Sequence, residues 1–185
     1  MNFALSETQV TVLVAAAVVV FWMVGGYNRL VALRTGIGSA YAQVDELLQR
    51  RGAAVLALVA ALRAPLAGEQ GALDALLAAQ TQVRSAADAL RARPVMASHA
   101  VALVAAESLM TSAASRVLAL VEQHPELLAA AEVAPHGATL RESPARLGFA
   151  RQVFNDAAAA YNAAARQFPT RLLTRLYGFG TAGRL

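Results

Sequence analysis

From Val10 to Gly26 the chain reads VTVLVAAAVVVFWMVGG, with no charge and no proline, and polar positions return only at Tyr27-Asn28-Arg29. A helix rises about 1.5 Å per residue, so the run covers roughly 25 Å, the short end of a membrane span. Beyond it, apolar residues recur at helical spacing. Leu30, Ile37, Tyr41, Val44, Leu48, Val55, Leu58 and Leu62 predict a first helix continuing out of the apolar run to about Leu62, where Arg63-Ala-Pro65 ends it. Gly36 and Gly38 weaken that helix near its apolar end and admit a bend. A second helix is expected over about Glu69–Arg91, with Leu73, Leu76, Val83 and Leu90 on one face and Arg93-Pro94 closing it.

A third helix, about Met96–Gln123, carries Leu103, Met110, Val117 and Val121 inward and stops at His124-Pro125. A connector over Glu126–Gly137 has room for one helical turn. The fourth helix is expected over about Leu140–Gln167, with Ser143-Pro144 as a capped start. Its heptad of Leu140, Leu147, Phe154, Tyr161 and Phe168 makes a seam for shallow-angle helix packing. No segment alternates with period two. The expected fold is all-α: a single N-terminal transmembrane helix continuing into an antiparallel four-helix bundle. The chain divides into residues 1–9 as a short extracytoplasmic N-terminus, 10–26 as the span, 27–169 as a cytoplasmic bundle and 170–185 as a basic-apolar tail.

Charge sets the orientation. A cleaved signal peptide would carry a basic start, and the first ten residues hold only Glu7, so an uncleaved anchor is the better reading. Basic residues follow the span at Arg29, Arg34, Arg50 and Arg51 and none precedes it, which places the body in the cytoplasm under the positive-inside rule. The expected topology is single-pass, with the N-terminus outside. The absence of cysteine fits a reducing compartment. All sixteen basic residues are arginine, and with the alanine excess they read as the product of a GC-rich genome more than as function. The net charge of +4 comes from the C-terminal end, where residues 141–185 hold seven arginines against Glu142 and Asp156.

Several segments together carry a resemblance. They are Tyr27-Asn28-Arg29-Leu30, Ala40-Tyr41-Ala42-Gln43-Val44-Asp45, Leu48-Gln49-Arg50-Arg51, Glu122-Gln123-His124-Pro125-Glu126-Leu127 and Ala150-Arg151-Gln152-Val153-Phe154-Asn155-Asp156. Tyr161-Asn162, Phe168-Pro169 and Gly178-Phe179-Gly180 follow. In this order and spacing the chain resembles the LemA family of bacterial membrane proteins. The resemblance implies a single-pass anchor in the bacterial inner (cytoplasmic) membrane and a cytoplasmic helical bundle. The chain departs from the family at Gly52-Ala53-Ala54-Val55, where an Asp-Leu-Ile-Pro segment is usual. It departs again at Phe154, where tyrosine is common, and at Pro144, where a helix-favouring acid is common.

The chemistry-bearing residues are few. Asn155 and Asn162 lie seven apart on one stripe beside the Phe154–Tyr161 seam, and with Asn28 they read either as a polar ligand or partner site or as buried amides fixing helix register. Asp45, near Arg50 and Arg51, reads as one half of an ion pair, with no second carboxylate at dyad spacing. His99, His124 and His136 share no metal-binding spacing, and no cysteine can join them. His124 beside Pro125 fits a helix-terminating contact. Gly36-Ile-Gly38 follows no strand and lacks a third glycine, so it is no phosphate loop. No nucleophile, kinase or nucleotide motif is present, so no enzyme, cofactor or metal is expected. A pI near 10.3 without interleaved aromatics implies only unspecific attraction to nucleic acid.

Four helices running up and down return the C-terminal end to the bilayer. There Arg171 and Arg175 with Tyr177 and Phe179 would meet headgroups and interface, unless the tail folds against its own bundle. The expected function is a non-enzymatic scaffold or adaptor acting through helix contacts. Its partners would be the bilayer, a membrane or cytoplasmic protein, or further copies of the chain. The alternative is a ligand-sensing bundle with a polar cavity beside Asn155 and Asn162 that signals to a membrane enzyme.

Overall fold

The computed structural model describes residues 7–168, 171 and 180–185. Among them every regular element is helical. Helix α1 runs unbroken from Glu7 to Leu62, α2 spans Gln70–Ala92, α3 Ala97–Glu122, α4 Pro125–Ala129 and α5 Ala134–Arg166, and a 3₁₀ turn at Ala67–Glu69 leads into α2. The glycines of α1 do not interrupt it. Trans-helical hydrogen bonding needs only the backbone, and the cost of glycine, about 1 kcal/mol each, is absorbed by packing below Leu30.

Helix α1 has two halves. Up to Arg29 nearly every residue is exposed, including Val12, Leu13, Val18, Phe21 and Trp22. From Leu30 onward the expected stripe of Leu30, Ile37, Tyr41, Val44, Leu48, Val55, Leu58 and Leu62 is buried throughout. One long apolar N-terminal helix therefore projects from a packed helical body, and none of its apolar window is buried in that body. Helix α3 is also long and apolar enough to cross a membrane, but Leu103, Met110, Val117 and Val121 bury its inner face in the body.

Helix α1 packs against both α2 and α5, and α2 packs against α3. The core joins Tyr41, Leu58, Leu73, Leu76, Leu90, Met110, Phe154 and Tyr161, all with almost no exposed surface. Tyr41 and Phe154 meet edge to face, ring centroids 6.1 Å apart. Such a pair adds about 0.5–1.5 kcal/mol beyond the area it buries.

Helix α5 differs from the sequence reading. It begins at Ala134, with Pro135 in its first turn, and passes through Pro144 instead of starting there. Proline has no N–H for the carbonyl of Leu140, one turn back. The buried Ser143 Oγ donates to that carbonyl at 2.9 Å, so the orphaned acceptor is satisfied and the helix continues. Ser143 is thus a repair inside the helix and not a cap. The seam also ends earlier than expected. Leu140, Leu147, Phe154 and Tyr161 are buried, whereas Phe168 is 73 % exposed and lies against Trp22 of α1, centroids 5.3 Å apart. The far end of α5 therefore reaches the apolar half of α1. The connector after α3 forms α4, and His124 Nδ1 lies 2.9 Å from the Leu120 carbonyl, the helix-end contact expected of it.

Candidate functional site

Three polar constellations interrupt this apolar body. The first joins α1 to α2. Tyr41 Oη donates to the Ala87 carbonyl at 2.8 Å, and Arg91 holds Asp45 with both Nε (2.9 Å) and Nη2 (2.6 Å), while its Nη1 reaches Asp88 at 2.6 Å. Asp45 is indeed an ion-pair partner, but of Arg91 and not of its helix neighbours Arg50 and Arg51. Burial, reinforced by the charge of Asp45, pushes the Tyr41 hydroxyl well above the usual tyrosine range. The hydrogen bond to Asp45 likewise raises Arg91. Beside this pair an open groove of about 540 Å³ runs between the helices, lined by Asp45, Gln49, Gln80, Thr81, Arg84 and Arg91 among others. Gly52 makes room for it: a Cβ there would meet Gln80 Nε2 at 2.5 Å. Gln80 Oε1 is buried in the groove wall without a protein donor.

The second constellation was not legible in the sequence. Arg51 of α1 grips both oxygens of Glu107 of α3, one of them at 3.0 Å, and Arg151 of α5 reaches the same carboxylate at 2.7 Å. Arg51 and Glu107 are almost fully buried, with side chains 5 % and 7 % exposed. The bidentate fork suits arginine, and one carboxylate neutralises only one of two guanidinium charges. The partners lie 56 and 44 residues apart, so no local spacing announces them.

The third constellation is formed by the two asparagines singled out in α5. Asn155 accepts from the Leu185 N–H and donates to the Leu185 carbonyl, both at 2.8 Å. Asn162 does the same for Ala182, at 2.8 and 3.0 Å. Tyr161 Oη donates to the Gly180 carbonyl at 3.2 Å, and burial raises its hydroxyl above the ordinary value. Gly183 lies against α3: a Cβ there would fall 2.8 Å from both Ala97 Cα and Ala100 Cβ. Residues 180–185 therefore run back along α5 as an irregular segment wedged between it and α3. The amides fix a chain segment to the helix, so the space expected for a ligand beside Asn155 and Asn162 is filled.

The other expected site residues are dispersed. Asn28 is exposed on α1. Arg171 is exposed, whereas Arg175, Tyr177 and Phe179 lie outside the described residues, so the expected membrane-surface contact falls mostly there. Among the described residues, no three His, Cys, Asp or Glu side chains converge as metal ligands. No curated protein matches the chain. A family model, the LemA family, matches residues 40–184, from within the packed α1 stripe through the body. Over most of its length, including the first two constellations and all of the third except Leu185, the chain thus carries that family's pattern, and it belongs to the LemA family.

Proposed function

We propose that this protein is a non-enzymatic adaptor of the bacterial inner membrane. The apolar half of α1 is its single span, the N-terminus is outside, and an antiparallel four-helix body stands in the cytoplasm to dock other proteins. Supporting the anchor is the uncovered apolar half of α1, whose window of mean hydropathy 2.2 would be costly to leave in water. Supporting the orientation are Arg29, Arg34, Arg50 and Arg51, all on the body side of the span.

The observation that carries docking is the outer face of α3. Its exposed positions from Ala97 to Ser115 include Val101, Val104, Ala105, Ser108, Leu109 and Ser112 and hold no charge over about five turns. An ordinary solvent-facing helix carries charged residues there. Small and apolar residues let another helix approach closely. The test is a photo-crosslinking amino acid placed at Leu109 or Val101 in cells, with Arg84 as the control position. Defined adducts from the α3 positions alone support the reading, and equal or absent adducts at all three count against it.

A second reading, ligand sensing, is favoured by the groove between α1 and α2. Its Asp45–Arg91 pair and the unpartnered Gln80 Oε1 offer polar anchors in a volume suited to a small molecule. Protection of Gln80 variants and wild type alike from thermal unfolding by no member of a metabolite panel would remove this alternative.

A further inference from the structure

The wedge of residues 180–185 has the geometry of a bound peptide. Asn155 and Asn162 are seven residues apart, about 10.5 Å along a helix. The residues they grip, Leu185 and Ala182, are three apart, about 10 Å along an extended chain. Two helical turns thus match every third residue of an extended backbone. Each asparagine satisfies both the N–H and the C=O of its residue, so the grip reads main chain. Side chains enter only twice. Position 183 must be glycine, because the backbone of Ala97 cannot give way to a Cβ at 2.8 Å. Ala182 is buried and Leu185 packs on the core. A cleft between two helices, main-chain hydrogen bonds and small-residue selectivity together describe a recognition site for extended peptide.

We propose that the cleft between the N-terminal part of α3 and the C-terminal half of α5 is such a site. Its resident occupant is the chain's own segment 180–185, and its partner in trans is the same segment of a second copy. Two facts make exchange feasible. Every contact named above is available to an identical segment from a neighbour, so swapping costs only association. Thirteen residues, 167–179, also join the end of α5 to Gly180. A chain of that length spans at most about 43 Å at roughly 3.3 Å per residue, enough to reach a neighbouring body. The site stands on the cleft alone and does not depend on the adaptor reading; anchoring in one membrane would only raise the frequency of exchange.

Complementation tests it with the full chain in detergent. Asn155→Ala/Asn162→Ala leaves the segment intact but removes its clamp, and Gly183→Leu leaves the clamp intact but bars the segment. Neither variant can close on itself, so a mixture has one working clamp–segment pair, and that pair is intermolecular. The expected result is a one-to-one heterodimer in the mixture, absent from either variant alone and dispersed by excess peptide GTAGRL. Two folded variants, judged by wild-type helicity, that stay monomeric when mixed overturn the proposal. If the asparagine variant loses helicity, labelled GTAGRL on the Gly183→Leu chain decides. Binding weakened at least tenfold by leucine at the fourth peptide position supports the site, and no binding overturns it. If Gly183→Leu itself misfolds, amide exchange of Ala182 and Leu185 in the wild-type chain takes its place. Exchange accelerated by a hundredfold excess of peptide supports the site, and unchanged protection overturns it.

Discussion

Replacing Glu107 by glutamine removes the one anion between Arg51 and Arg151 while keeping its shape. The two guanidinium groups then fare differently. Arg151 is 32 % exposed and recovers solvent, so its loss is small. Arg51 is 5 % exposed, and its Nε already lacks a partner, so its charge stays buried without a counterion. Stranding one member of a buried pair costs about 3–5 kcal/mol. With a urea slope of roughly 2 kcal/mol per molar for a domain of this size, the unfolding midpoint should fall by about 1.5–2.5 M. The assay is urea unfolding of the full chain in detergent, followed by helical circular dichroism. The companion variant Arg51→Met/Glu107→Leu removes both buried charges and should lie closer to wild type than Glu107→Gln, since apolar replacement of a buried pair is often neutral. A loss below 1 kcal/mol for Glu107→Gln, or a double variant worse than the single one, would refute the reasoning.

Further outcomes follow from other contacts. Ser143→Ala should cost about 1–3 kcal/mol, because the Leu140 carbonyl facing Pro144 loses this donor, and equal melting of wild type and variant would contradict the repair. Stability should hold up to about pH 10 and decline above it, because the buried hydroxyls of Tyr41 and Tyr161 stay protonated in the fold after the unfolded chain has released its protons. Tyr41→Phe should be about 1 kcal/mol less stable at neutral pH and show a shallower alkaline decline, both read from denaturation at pH 7 and pH 11. Trp22 is the sole tryptophan, so Phe168→Ala should shift its emission. An unchanged spectrum would show that the end of α5 does not meet the apolar half of α1.

Helix positions were legible in the sequence because burial here follows helical period. The α1 stripe from Leu30 to Leu62 and the inner faces of α2 and α3 could be read off spacing alone. The start of α5 could not. A proline normally argues for a boundary, and only the three-dimensional closeness of Ser143 Oγ to the Leu140 carbonyl reveals why Pro144 is tolerated. Asn155 and Asn162 stood out as polar residues beside an apolar seam, but their partners are 30 and 20 residues away and consist of backbone, which leaves no residue-type signature. The Arg51–Glu107–Arg151 cluster was hidden for the same reason. Three charged residues on three helices look like solvated surface until packing brings them together.

The proposed adaptor role requires a body displayed in the cytoplasm from an N-terminal span. Reporters fused at residue 1 and residue 185, together with the mass of the membrane-extracted chain, test that directly. The account predicts an intact chain with residue 1 outside and residue 185 in the cytoplasm. A residue 185 reporter active outside, or a chain cut after Gly26, would contradict it.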